Sequence, residues 1–198
     1  MTKGFNKALI TEKLQWTKLF SKNERPCIFL SQKKEDKPAC REIAKYLKNA
    51  EIDIFFDEED DELQVAVTAN NPKDVTERIK AGIRECSHML CIVSLKTYGS
   101  MWVPFEIGYA NAAIVDKATL LNSADRRIKI TTLTLKDIAE KNLPEYLQIT
   151  NIIKGSKSFK NYISQISNKL EQRLLNENLI KAYSQTSHPL DNYLKYDL

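Results

Sequence analysis

The chain has 198 residues and a mass of 22.8 kDa, room for one domain of about 150 residues with extensions and for a core that needs no disulfide or metal staple. Hydrophobic residues at 42% and charged residues at 28% exclude a wholly disordered chain. The net charge of +4 is unevenly spread, with +7 over residues 1–48, −8 over residues 49–62 and +5 over the remainder; an acidic block inside a basic chain argues against nucleic acid as a partner, which calls for an uninterrupted basic stripe.

In chain order, Phe5, Leu9, Trp16 and Phe20 are spaced mostly as on a helix that Pro26 stops, so residues 1–25 are predicted to form a helical extension. The apolar run CIFL at 27–30 reads as a strand buried on both faces, opening into the polar stretch SQKKEDKP. Ala39, Ile43, Tyr46 and Leu47 mark an amphipathic helix that runs to about Asn49. A second strand, IDIFF at 52–56, leads into DEEDDE and a loop of about 16 residues, long for a strand-to-helix connection and expected to be solvated. Val75, Ile79 and Ile83 predict the next helix, and HMLCIV at 88–93 the third buried strand. Ser100 is placed to cap a helix with Pro104 in its first turn.

Further strands are predicted at 118–121, 128–135 and 150–153. A long amphipathic helix follows from Ser158, carrying Phe159, Tyr162, Ile163, Ile166, Leu170 and Leu174. The domain therefore spans residues 26–183, with a polar, irregular tail over 184–198. No apolar run reaches 18 residues and no leader-like segment opens the chain, so a soluble, cytoplasmic protein with no membrane contact is expected. Buried strands alternating with amphipathic helices predict an α/β fold, a parallel sheet with helices on both faces. Ligands bind such sheets at the carboxyl ends of the strands, where strand order reverses. Residues 31–34, the segment from Asp57, and residues 94–106 are thus the places to look for chemistry, with Ser94 at the end of the third strand.

Several chemistries are excluded. The five glycines lie no closer than nine residues apart, so neither a G-x-G-x-x-G turn nor a P-loop is present. Cys27, Cys40, Cys86 and Cys91 with His88 and His188 lack zinc-site spacing; His88 and Cys91 fall on opposite faces of a strand, and no metal site is expected. Free thiols point to a reducing compartment. No nucleophile elbow or H-E-x-x-H motif occurs. Carboxylate chemistry remains, and its candidate is Glu106. It lies four residues after Trp102, on the helix face opposite the expected core stripe of Val103, Ile107, Ala110 and Ile114.

Four motifs stand in order: FLSQKK at 29–34, FFD at 55–57, Ile79 and Ile83 ahead of CIVS at 91–94, and WVPFEI at 102–107. Together, over about residues 26–175, they resemble the Toll/interleukin-1 receptor (TIR) domain. The resemblance implies a flavodoxin-like sheet, with residues 57–71 as the BB loop through which such domains associate. Many bacterial and plant members cleave the nicotinamide–ribose bond of NAD, with the glutamate of W-x-x-x-E catalytic. That residue matches Glu106. Ser31, Gln32, Lys33 and Asp57 would border the substrate and Trp102 support the pocket, with NAD consumed as substrate and no bound cofactor. Gln32, Lys33 and Lys34 stand where the family often carries an aromatic residue and arginines, which weakens stacking and bidentate phosphate contacts.

A compact chain of this kind is similar to the signal-producing TIR subunit of bacterial anti-phage systems such as Thoeris, whose ADP-ribose-derived product is read by a separate effector protein. Two alternatives stand beside that reading: a non-enzymatic TIR adaptor, and a nucleoside deoxyribosyltransferase of the same general fold.

Overall fold

The computed structural model describes residues 3–9, 25–112, 127–167 and 188–197. Five strands, β1 (Cys27–Gln32), β2 (Asp53–Phe55), β3 (His88–Val93), β4 (Lys129–Thr134) and β5 (Asn151–Ile153), form one parallel sheet in the order β2-β1-β3-β4-β5. This order is that of the flavodoxin-like sheet that the resemblance implies, and it reverses between β1 and β3. The strand expected at 118–121 lies outside the described residues.

Alternation along each strand divides the core in two. Ile28 and Leu30 of β1 face one side, packed with Ile43 and Leu47 of α1 (Lys37–Asn49) and with Phe159 and Ile163 of α6 (Ser156–Ser167). Cys27 and Phe29 face the other, packed with Leu63 of α2 (Asp61–Thr68), Ile79 and Ile83 of α3 (Pro72–Arg84), Val103 and Ile107 of α4 (Trp102–Ala112) and Leu147 of the short α5 (Glu145–Gln148). Phe29 and Phe55 stack at 5.6 Å. Gly82 is required where α3 crosses them, because a Cβ there would come within 2.5 Å of the Phe55 ring. Among the described residues, no helix is long and apolar enough to cross a membrane.

Two local expectations need correction. The segment after β2 is not a solvated loop: a 3-10 turn, Asp57–Glu59, runs into α2. Asp60 caps that helix by accepting from the Leu63 N–H at 3.0 Å, and it is fully buried against Arg78 of α3 at 2.6 Å. Glu58 pairs with Lys37 and Arg41, and Glu59 accepts from Asn6. The acidic residues therefore hold the segment to its neighbours. Asn70 takes the left-handed conformation at φ 52° beyond α2, and Asn71 caps α3 by accepting from the Asp74 N–H.

The predicted N-terminal helix does not begin at Phe5. Phe5 O accepts from the Ile54 N–H, Asn6 is bridged in parallel to Ile54, and a 3-10 turn covers Lys7–Leu9; the edge strand β2 offers unpaired backbone groups that outweigh local helical spacing. The rest of that predicted helix lies outside the described residues, as does the end of the long one beyond Ser167. Of the tail, the described residues 188–197 are irregular as expected but anchored: Leu190 and Leu194 are buried in the α1–α6 core, and Asp197 accepts from the Lys157 and Ser158 N–H groups at the start of α6.

Replacing Arg78 by alanine leaves the Asp60 carboxylate buried and unpaired. It is expected to lower the unfolding free energy by about 3 kcal/mol or more, measured by urea titration. Arg41→Ala should cost less than about 1 kcal/mol, because Arg41 is exposed and Glu58 keeps Lys37.

Candidate active site

Ser31 shares the face of Cys27 and Phe29 by the two-residue period of β1, and this turns its hydroxyl toward α4. Ser100 starts α4 by accepting from the Val103 N–H at 3.2 Å, as its position predicts, and Pro104 falls in the first turn. One turn further on, Glu106 points into the sheet, and Ser31 Oγ donates to its Oε2 at 2.5 Å. Both residues are buried. Glu106 thus lies on the buried side of α4 with Val103, Ile107 and Ala110, which corrects the expected placing of the glutamate away from the core stripe. The helix is apolar almost all round, and a wide buried face admits position 106 as well.

The electrostatics around Glu106 are unusual. Burial, and secondarily the charge of Asp57, push its pKa up to about 8, with the Ser31 hydrogen bond pulling the other way. Asp57 lies in the turn after β2, and burial raises it to about 6 against the opposing pull of Lys37. Among the described residues no lysine or arginine forms an ion pair with Glu106. The thiol of Cys91, which is paired in register with Ser31, is pushed far up by burial and then by the Glu106 charge; it stands beside the carboxylate as a neutral group. The sequence reading missed Cys91, which the parallel register of β1 and β3 places level with Ser31.

The other predicted residues are differently placed. Gln32 follows Ser31 and so belongs to the opposite face of β1, its Oε1 buried without a hydrogen-bond partner among the described residues. Lys33 donates from Nζ to the Gly99 carbonyl at 2.6 Å and lies 3.9 Å from Glu35, tying the end of β1 to the 3-10 turn Leu95–Gly99. Trp102, 41% exposed, packs edge-on against Phe105 at 5.7 Å.

Ser94 is buried, and its hydroxyl is committed: it donates to Asp36 Oδ2 at 2.6 Å and accepts from the Lys96 N–H, capping the same turn. Asp36 stands in the polar stretch after β1, and an aspartate just before Lys37 and Pro38 is a helix-start signal. Ser31, Glu106 and the charge of Asp57 are therefore brought together, while Ser94 and Lys33 brace the connections around them. No group of histidine, cysteine and acidic side chains suited to a metal ion occurs among the described residues.

Such an arrangement holds a carboxylate in a low-dielectric setting with one orienting hydroxyl. It can stabilise a positive charge on a bound molecule or exchange a proton near neutral pH. Because folding raises the Glu106 pKa from 4.5 to about 8, the folded state holds the proton more tightly than the unfolded one. The contribution of Glu106 to stability is then most favourable below pH 4.5 and is lost as pH rises through about 8. Glu106→Gln is accordingly expected to raise the thermal midpoint, more at pH 8.5 than at pH 5, in paired scanning calorimetry; a loss of stability at both would contradict the burial argument.

The family model of the TIR domain matches residues 28–148, more than half of the chain. No curated protein matches the chain.

Proposed function

The chain belongs to the TIR domain family, and from that premise we propose that it is an NAD-consuming enzyme that breaks the nicotinamide–ribose bond, with Glu106 as its catalytic residue. The observation that carries this reading is the buried carboxylate at the carboxyl end of the sheet, hydrogen-bonded to Ser31 and without a basic partner among the described residues. A carboxylate in that setting is suited to a cation supplied by the ligand. NAD brings one, the pyridinium ring.

The bond between ribose C1′ and the pyridinium nitrogen breaks with its electron pair going to the nitrogen, so nicotinamide departs neutral and needs no strong general acid. Positive charge develops on the ribose as an oxocarbenium ion, as in glycoside cleavage. Glu106, ionised, stabilises that charge and accepts hydrogen bonds from the ribose hydroxyls. A single preorganised group of this kind contributes about 3 to 4 kcal/mol. Ser31 orients the carboxylate. The charge of Asp57 adds to the negative field that attracts a cation while opposing ionisation of Glu106, and Trp102 supplies a flat apolar wall one turn along α4. Lys33 offers a point charge to the pyrophosphate. Water then adds to C1′ and loses a proton, giving ADP-ribose, unless an atom of the same nucleotide captures the cation and closes a ring.

The product serves as a signal for a separate effector protein in anti-phage defence. Self-association through the segment after β2 completes the picture, supported by Val65 and Val67 of α2, exposed at 68% and 54%. A non-enzymatic adaptor would use that same surface and be indifferent to Glu106.

Concentrated protein is expected to release nicotinamide from NAD, and Glu106→Gln to cut the rate by about 100-fold or more. Equal release by the variant, or none from the wild type under crowding, overturns the reading.

The pH profile offers a second check, because the ionised carboxylate is the active form: kcat/KM should rise with pH to a plateau, with a midpoint near 8. Asp57→Asn removes the like charge and should move that midpoint down. Ser31→Ala removes the hydrogen bond to the ionised form and should move it up.

A further inference from the structure

At the opposite end of the sheet from Glu106, Cys27 opens β1 and Cys86 lies between α3 and β3. Their sulfurs are 3.1 Å apart, and both side chains are fully buried in the same apolar cluster. The backbones are already joined beside them, since the Ser87 N–H donates to the Cys27 carbonyl at 3.1 Å. Closing the sulfurs to a bond length of ~2.05 Å takes a movement of only about 1 Å. The other thiols are out of reach: Cys40 packs on the opposite face of the sheet, and Cys91 pairs with Ser31, four residues and about 13 Å along the strands from Cys27.

We infer that Cys27 and Cys86 form a reversible dithiol–disulfide site whose oxidant is a small disulfide of the glutathione class. One cysteine thiolate attacks a sulfur of the oxidant and expels a glutathione thiolate; the second displaces the other glutathione. Two cysteine thiols lose two protons and two electrons, and one glutathione disulfide becomes two glutathione thiols. The bond clamps the start of β1 to the turn that leads into β3, in the part of the sheet where its order reverses.

The N-terminal segment covers this pair. Ala8 belongs to the same apolar cluster, and the buried Lys7 interacts electrostatically with both thiols. The segment is fastened through Asn6, which donates to the Phe56 carbonyl and accepts from its N–H. Burial holds the Cys86 thiol well above its usual range, so exchange requires this cover to lift.

The reduced full chain, unfolded and refolded in a glutathione redox buffer, is then alkylated in denaturant with N-ethylmaleimide. Two of the four cysteines are expected to resist alkylation, and peptide mapping is expected to join Cys27 to Cys86. The oxidised protein should melt about 5 to 10 °C higher than the reduced one. That difference should vanish in Cys27→Ala and Cys86→Ala and persist in Cys40→Ala. With the folded protein, Asn6→Ala should speed disulfide formation about threefold or more by freeing the cover. Four alkylated cysteines in the wild type, or a bond that includes Cys40 or Cys91, would overturn the inference whether or not the variants fold.

Discussion

Two-sided burial of the parallel sheet is the constraint on which the rest of the molecule depends. Each strand must send successive side chains into opposite layers, and both layers must be covered. β1 has neighbours on both edges and helices on both faces, so every one of its positions is assigned by alternation. Leu30 goes to the layer of α1 and α6, and Ser31 to the layer of α3 and α4. A polar residue at the last fully buried position of β1 thus meets the one acid that α4 buries. The reversal of strand order between β1 and β3 leaves the ends of those strands free of a covering crossover, which is why the site opens there.

Burying Glu106 opposes folding. A carboxyl with one hydrogen bond and a second acid acting on it gains nothing from ionisation in the folded protein. The same environment makes it receptive to a positive charge brought by a ligand. The surrounding polar groups are partnered in a way that keeps the frame stiff: Ser94 with Asp36, Lys33 with the Gly99 carbonyl, and Lys96 with Asp36. Their contribution is to hold the connections after β1 and β3 together, so that a single carboxylate can stand in their midst without a basic partner among the described residues.

The acidic stretch after β2 follows a different logic. Its residues sort by surroundings, with Asp60 driven inside against Arg78, Glu58 shared by Lys37 and Arg41, and Asp57 placed to act on Glu106. One segment therefore joins α3, α1 and the site. Arg78 also lies over the Phe55 ring at 5.7 Å, which links that ion pair to the stacked phenyl rings of the core.

The amino-acid sequence by itself determined the parallel α/β class, the approximate places of the described strands and the capping of α4 by Ser100, because apolar runs, helical spacing and capping residues are local signals that packing here reinforces. It did not reveal α2, whose weak apolar period is stabilised by the contacts of Asp60 and Leu63 with distant elements. Nor did it foresee that Phe5 and Asn6 would pair with β2, or that Leu190 and Leu194 would complete the core. Tertiary structure alone decided which residues meet Glu106. Ser31 and Gln32 are adjacent polar residues at the end of one strand, and only the sheet and its two layers put the first against the acid and the second on the other side. The physical reason is that hydrogen bonds and charge effects depend on distances of a few ångströms across elements far apart in the chain, and these are set by packing rather than by local pattern.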